Sequence, residues 1–199
     1  CNHSVCAKKV VPESLPWCRI PGIVKEGADL STPRDAKVVS YDMTDFVSQC
    51  LETYKNLAGK EFKGWCKAST PSVSDDSSFA NTGIKGRLSD IALKVIMKVL
   101  YAARMARPDI LKATCALGRR VASWCTERDR RLHRLMSYLF HTSKITLDAI
   151  LADRLEDLQL TLFCDADYAG EKEDSKSTSG VVLAIVGPAS FVLLSTISK

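Results

Sequence analysis

The sequence predicts an α+β fold, a helical cluster followed by a sheet of about three antiparallel strands. Two observations carry this. Between residues 41 and 141 apolar side chains recur every three or four positions, the period of helices with one buried face. After His141 the period drops to two, that of half-buried strands. The 199 residues suffice for one ordinary domain or two small ones, and 46% hydrophobic with 26% charged residues describes a globular chain rather than a disordered one.

Residues 1–40 read as irregular chain, because Pro12, Pro16, Pro21 and Pro33 with Gly22 and Gly27 break any sustained period. The next division, 41–87, opens with a helix whose apolar face is Phe46, Val47, Cys50, Leu51, Tyr54 and Leu57. Asp42 or Thr44 starts it and Gly59 stops it. A polar loop follows over 59–87, with Ser69-Thr70-Pro71 and the run 72–78, and is expected to be mobile. The division 88–145 is a helical connection. Ser89 or Asp90 caps a helix with Ile91, Val95, Ile96, Val99, Leu100 and Ala103 on one face. Pro108 interrupts it, and Asp109 restarts a helix through Leu111, Cys115, Leu117, Val121 and Trp124. Thr126, with Asp129 three residues on, has the spacing of a capping box for a third helix that turns Leu132, Leu135, Met136 and Leu139 inward. Short joints imply a compact antiparallel cluster.

The last division, 146–199, carries the strands. Residues 146–151 read as a short strand weakened by Asp148. Clearer strands are expected at 158–164, 180–186 and 191–196, with Gly187-Pro188 as a turn. A sheet without helices to cover its faces, in a chain that opens on Cys1 rather than Met, is expected of a fragment.

The net charge of +5 is unevenly spread. Residues 98–144 hold eleven basic side chains against Asp109, Glu127 and Asp129, so the remainder is slightly acidic. Arginine dominates the cluster and suits phosphate. Arg119, Arg120, Arg128, Arg130, Arg131 and Arg134 are therefore candidate nucleic-acid contacts, with a solvated helix face as the other reading. His133 reads as an exposed or half-buried helix residue, and His141 as a helix C-terminal one whose charge complements the dipole. The eight cysteines form no Cys-x-x-Cys pair, and Cys1, His3 and Cys6 lack a fourth zinc ligand. They read as small buried hydrophobes of a protein kept in an intracellular, reducing compartment. No apolar run is long enough to span a membrane and no secretory leader is visible, so no membrane partner is expected.

Asp165-Ala166-Asp167 ends an apolar strand. Carboxylates fixed by a strand suit Mg²⁺, which orients water and stabilises the departing oxygen in phosphodiester hydrolysis. The same pair also reads as a turn in which Asp accepts backbone N–H groups. Around it stand Cys164-Asp165-Ala166-Asp167-Tyr168-Ala169-Gly170, a charged loop, and Lys176-Ser177-Thr178-Ser179-Gly180. Upstream are Leu100-Tyr101, Arg107-Pro108-Asp109-Ile110, Leu132-His133-Arg134-Leu135-Met136-Ser137-Tyr138-Leu139 and Ala68-Ser69-Thr70-Pro71. In this order, over about residues 40–199, these segments resemble copia-type retrotransposon Pol polyproteins: the end of the reverse transcriptase region, a connection, and the start of the RNase H domain.

The resemblance implies an incomplete RNase H-like sheet and a parent reaction of RNA-templated DNA synthesis with Mg²⁺-dependent hydrolysis of the RNA strand. It implies Asp165 as a catalytic metal ligand with Asp167 beside it, and as partners an RNA–DNA hybrid or other nucleic acid and the rest of the polyprotein. The chain also departs from that family. It has no Tyr-x-Asp-Asp motif, Asp75-Asp76 falls in a polar loop, and the later carboxylates of the nuclease site are missing, so the fragment itself is expected to be inactive. A non-catalytic nucleic-acid-binding module and an inert remnant of a degenerate element are the alternatives.

Overall fold

A computed structural model describes residues 2–19, 23–24, 29–72, 84–167 and 178–199, which form four α-helices and a six-stranded antiparallel open sheet. The chain divides into a helical unit built on Met43–Ile145 and a sheet unit built from Cys1–Asp42, Thr146–Ala166 and Ser179–Ile197.

In the helical unit the periodicity becomes α1 (Thr44–Ala58), α2 (Ser89–Met105), α3 (Leu111–Arg119) and α4 (Thr126–His141). Gly59 ends α1 at φ 51°, a left-handed conformation that residues with a Cβ rarely adopt. Tyr54 of α1, Val95, Ile96 and Val99 of α2, and Leu132, Leu135, Met136 and Leu139 of α4 fill one core. Pro108 breaks the path between α2 and α3 as expected, with one 3₁₀ turn over Pro108–Ile110. The charged Arg107 beside it is 1% exposed. Its guanidinium donates to both carboxylate oxygens of Asp109 (2.9 and 2.8 Å) and to the carbonyl and hydroxyl of Thr142 (2.9 and 2.7 Å). The Tyr138 hydroxyl donates to the same carboxylate at 3.0 Å. Arg107-Pro108-Asp109 therefore clamps the end of α2 to the end of α4, and the fork-to-carboxylate geometry makes the buried charge tolerable.

Two local expectations are corrected here. The second connecting helix stops at Arg119, not Trp124, and gives way to a 3₁₀ turn at Val121–Ser123. The N-cap of α4 is Cys125, without a side-chain cap, so Thr126 and Asp129 do not form a capping box. Asp129 instead accepts hydrogen bonds from the backbone N–H groups of Arg87 (2.7 Å) and Leu88 (3.1 Å) and from the Trp124 indole (2.7 Å). It caps the start of α2, whose first N–H groups have no intrahelical acceptor.

The sheet unit consists of β1 (Asn2–Val10), β2 (Arg34–Asp42), β3 (Leu147–Leu151), β4 (Gln159–Asp167), β5 (Thr178–Gly187) and β6 (Ser190–Ser198), in the order β1-β2-β3-β6-β5-β4. The expected three strands are thus six, and residues 2–10 and 34–42, expected to be irregular, are two of them. β1 pairs with β2 from Asn2↔Asp42 to Val10↔Arg34, β2 with β3 from Lys37↔Leu151 to Tyr41↔Leu147, and β3 meets β6 at Ile150↔Phe191. All four N-terminal prolines fall between β1 and β2, so they punctuate the hairpin without breaking a strand. In β2 the buried Ala36 and Val38 alternate with exposed Asp35 and Lys37, a pattern too short and too polar to stand out.

Asp153, whose side chain is fully buried, ties this unit together. Its carboxylate pairs with Arg34 and accepts the Ala189 N–H at 2.8 Å. The Ser190 hydroxyl oxygen accepts the N–H groups of Ala152 and Asp153 at 2.9 and 3.0 Å. A Cβ at Gly187 would stand 2.5 Å from that carboxylate, so the β5–β6 turn needs glycine there.

Candidate functional site

The helical unit carries a groove. α1 places Tyr54 at its floor, and the chain then makes a 3₁₀ turn at Gly59–Glu61 and runs beside α4. Aromatic contacts hold that run. Phe62 meets Trp65 edge-on at 4.8 Å, and Trp65 stacks on Phe140 at 5.0 Å and 13°. Polar contacts add to them: the Cys66 N–H donates to the Ser137 hydroxyl (3.2 Å), His141 Nε2 to the Cys66 carbonyl (3.0 Å), and Arg134 to the Thr70 hydroxyl (3.0 Å). The space left is a cavity of about 410 Å³ lined by Tyr54, Glu61, Lys63, Cys66, Arg87, Leu88, Asp129, Arg130, Arg131, His133 and Arg134. That volume is in the range of ordinary ligand sites.

Five basic side chains against two acidic ones make the groove electropositive. Glu61 pairs with Arg87 at 3.0 Å, Arg131 pairs with Glu127 one turn away on α4, and Asp129 is spent on backbone N–H groups. The cations of the lining still outnumber its carboxylates, and this excess gives the groove its sign. Beneath it lies a neutral pair. His133 donates to the Gly64 carbonyl, which leaves Nδ1 to accept the Tyr54 O–H at 3.1 Å. Burial pushes the His133 imidazole below its ordinary range and, with a smaller effect of the Asp129 charge, lifts the Tyr54 phenol far above its own. The arrangement offers cations above a polar, aromatic floor.

Of the arginines singled out in the sequence, the groove gathers Arg130, Arg131 and Arg134. Arg128 is 6% exposed and turns inward, donating to the Ser123 carbonyl and to Cys125 Sγ. Arg119 and Arg120, at the end of α3, do not line it. Periodicity gave no sign of Lys63, Cys66 or Arg87, which lie outside the helices, and Tyr54 read only as a core residue. Asp165 is exposed on β4, and Asp167 ends that strand with its side chain outside the described ones. Residues 168–177, with the charged loop, and Asp75-Asp76 lie outside the described residues. Among the described residues no three His, Cys, Asp or Glu side chains gather to hold a metal, and the Asp167 side chain lies outside them. His3 packs edge-on against Tyr41 at 5.0 Å and Cys6 is exposed, while Cys1 lies outside the described residues. The cysteines are only partly the buried hydrophobes expected: Cys50 and Cys125 are buried, Cys115 is half-buried, and Cys6, Cys66 and Cys164 are exposed. No helix of the described residues is long and apolar enough to cross a membrane.

Compared with known proteins, the chain is 28% identical over 95 residues to secreted RxLR effector protein 161 of Plasmopara viticola, a match covering 48% of this chain and 65% of that protein. The chain thus spans less than two thirds of the relative's length. No family model matches the sequence, and no solved structure does. This finding corrects the reading as a piece of a copia-type Pol polyprotein. The relative is a secreted effector, and nothing in the comparisons supports a retrotransposon, a reverse transcriptase or an RNase H. The parent reaction and the remnant of a degenerate element fall with it. So does the intracellular, reducing location, because the relative is a secreted protein.

Proposed function

We propose that the chain is a secreted, effector-type binding protein and that the groove of its helical unit takes nucleic acid. The observation that carries this is the groove itself, with five basic side chains over a floor that includes Tyr54 and His133. Cations that track phosphates are what sequence-tolerant binding of single strands uses. The effector role rests on the likeness to the Plasmopara viticola protein. Binding without turnover fits a site with cations and hydrogen-bonded neutral rings but no converging carboxylates.

The test is a salt titration of binding to a labelled single-stranded RNA, with an RNA–DNA hybrid in parallel. Each phosphate contact contributes a slope of about −0.7 for single strands, so Lys63→Gln with Arg130→Gln is expected to flatten the dependence by about 1.4. Both side chains are exposed, so the fold tolerates the change. Arg119→Gln, outside the groove, is expected to leave the slope as it is. Equal slopes for wild type and the double variant would reject the groove as the binding site.

A further inference from the structure

The hydrogen bond between Tyr54 and His133, at the floor of the groove, can run in either direction. As it stands, the Tyr54 O–H donates to His133 Nδ1 at 3.1 Å while the other ring nitrogen donates to the Gly64 carbonyl. A further proton on His133 must therefore go to Nδ1, the nitrogen that carries none. The Tyr54 oxygen can then accept from Nδ1–H, because a hydroxyl rotates freely between donor and acceptor roles. Its own proton is turned out of the bond and needs a new acceptor. Tyr54 is only 1% exposed but lines the cavity, so an acceptor has to come from the groove. Left unpaired at such a site, the O–H carries a desolvation cost.

The charged neighbours decide when the reversal occurs. From α4, Asp129, Arg130, Arg131 and Arg134 face the cavity that His133 lines. Opposite them stand Glu61, Lys63 and the Cys66 thiol of the run after α1, and Arg87 ahead of α2. The rings of Phe62 and Trp65 pack against His133 and bring no charge. Five cations against two carboxylates oppose one more positive charge in the free protein. A phosphate-bearing strand removes both obstacles. Its charge offsets the cations, and its oxygens accept the displaced Tyr54 proton. We infer that Tyr54 and His133 form a proton-coupled switch in the groove floor, through which binding of nucleic-acid phosphates takes up a proton and tightens in acid. This rests on the reading of the groove as a nucleic-acid site. The coupling is reciprocal: a ligand that favours the protonated ring is held more tightly once the ring is protonated. Burial keeps the imidazole of the free protein below its ordinary range. Affinity therefore rises as pH falls through the higher pKa of the complex and levels off below that of the free protein.

Dissociation constants of the full chain for a labelled uridine oligomer, from about pH 7.5 to about pH 5.5 at fixed ionic strength, test the switch. Neither uracil nor the phosphodiester titrates across that range. The wild type is expected to tighten by at least about threefold, with a ceiling of about tenfold per pH unit for one proton. His133→Gln is expected to abolish the dependence. His141→Gln is expected to keep it, since His141 does not line the cavity. Tyr54→Phe leaves the imidazole but removes the acceptor for Nδ1–H, so it is expected to shrink the dependence and serves should His133→Gln fail to fold. Dextran sulfate, whose charge is constant over this range, is run in parallel. Tightening on dextran sulfate that needs His133, with no binding of the oligomer, would reject nucleic acid as the ligand and support the switch. Oligomer binding that is flat with pH, or whose pH dependence survives both substitutions, would overturn the switch and leave the nucleic-acid reading in place. Binding of neither probe would overturn both.

Discussion

His133 shows how one side chain can be fixed by three constraints at once. Its ring lies parallel to Trp65 at 6.4 Å, accepts from Tyr54 at 3.1 Å and donates to the Gly64 carbonyl, and Gly64 reaches that carbonyl position at φ 103°. Burial favours the neutral ring and holds the folded-state pKa below the unfolded value, near 6.5. The sign follows. Above the unfolded pKa the ring is neutral in both states and the fold has its full stability. As pH falls through that value the unfolded chain takes up a proton first, and stability drops until the folded-state pKa is passed. Chemical denaturation at pH 7 and pH 5 is expected to show a loss in the wild type that is smaller in His133→Gln. An equal loss in both proteins would remove His133 as the cause. The sequence reading, an exposed or half-buried helix residue, gives the position but not the chemistry. The partners Tyr54 and Gly64 lie on other parts of the chain, beyond any local spacing rule.

At the level of elements, helices and strands were legible where one face is buried over several turns or pleats. α1, α2 and α4, and the later strands β4, β5 and β6, follow from period alone. What was not legible is how elements lock to one another. Thr126 and Asp129 have the spacing of a local cap, yet Asp129 spends its carboxylate on the N–H groups of Arg87 and Leu88 just ahead of α2, more than forty positions earlier in the chain. The same holds for the arginines of α4. Spacing puts Arg128, Arg130, Arg131 and Arg134 on one broad face, but only the packing decides that Arg128 turns inward while Arg130 lines the groove. Gly86 completes the α2–α4 junction. A Cβ there would lie 2.6 Å from the Cys125 carbonyl oxygen and 2.7 Å from both Asp129 Oδ1 and the Trp124 ring. Backbone cannot yield cheaply, so Gly86→Ala is expected to cost about 1–3 kcal/mol in urea denaturation, the usual range for overpacking a tight site. A change within ~0.5 kcal/mol, as at an ordinary surface site, would mean the junction is looser than these distances imply.

At the level of the whole molecule, the sheet is assembled from both ends of the chain and the helices from its middle. Local period reveals β4 to β6 because each neighbour is close in sequence, and it passes over β1 and β2 because β2 finds β3 only across the entire helical unit. Family-like motifs were a poorer guide still. Arg107-Pro108-Asp109 has a sufficient structural reason in its clamp on Thr142 and Tyr138, and such a reason carries no information about activity. The buried cores are also distinct: one joins α1 to α4, and two smaller ones lie in the sheet unit, with no member in common. Removing a fully buried side chain from the first is therefore expected to be felt there first. Leu135→Ala, at a position 0% exposed, is expected to cost about 2–5 kcal/mol. In native-state hydrogen exchange the amides of α2 and α4 are expected to lose protection by that amount, while those of β5 and β6 keep theirs, because contiguous cores open as separate cooperative units. Equal loss in both sets would show that the helices and the sheet unfold as one body.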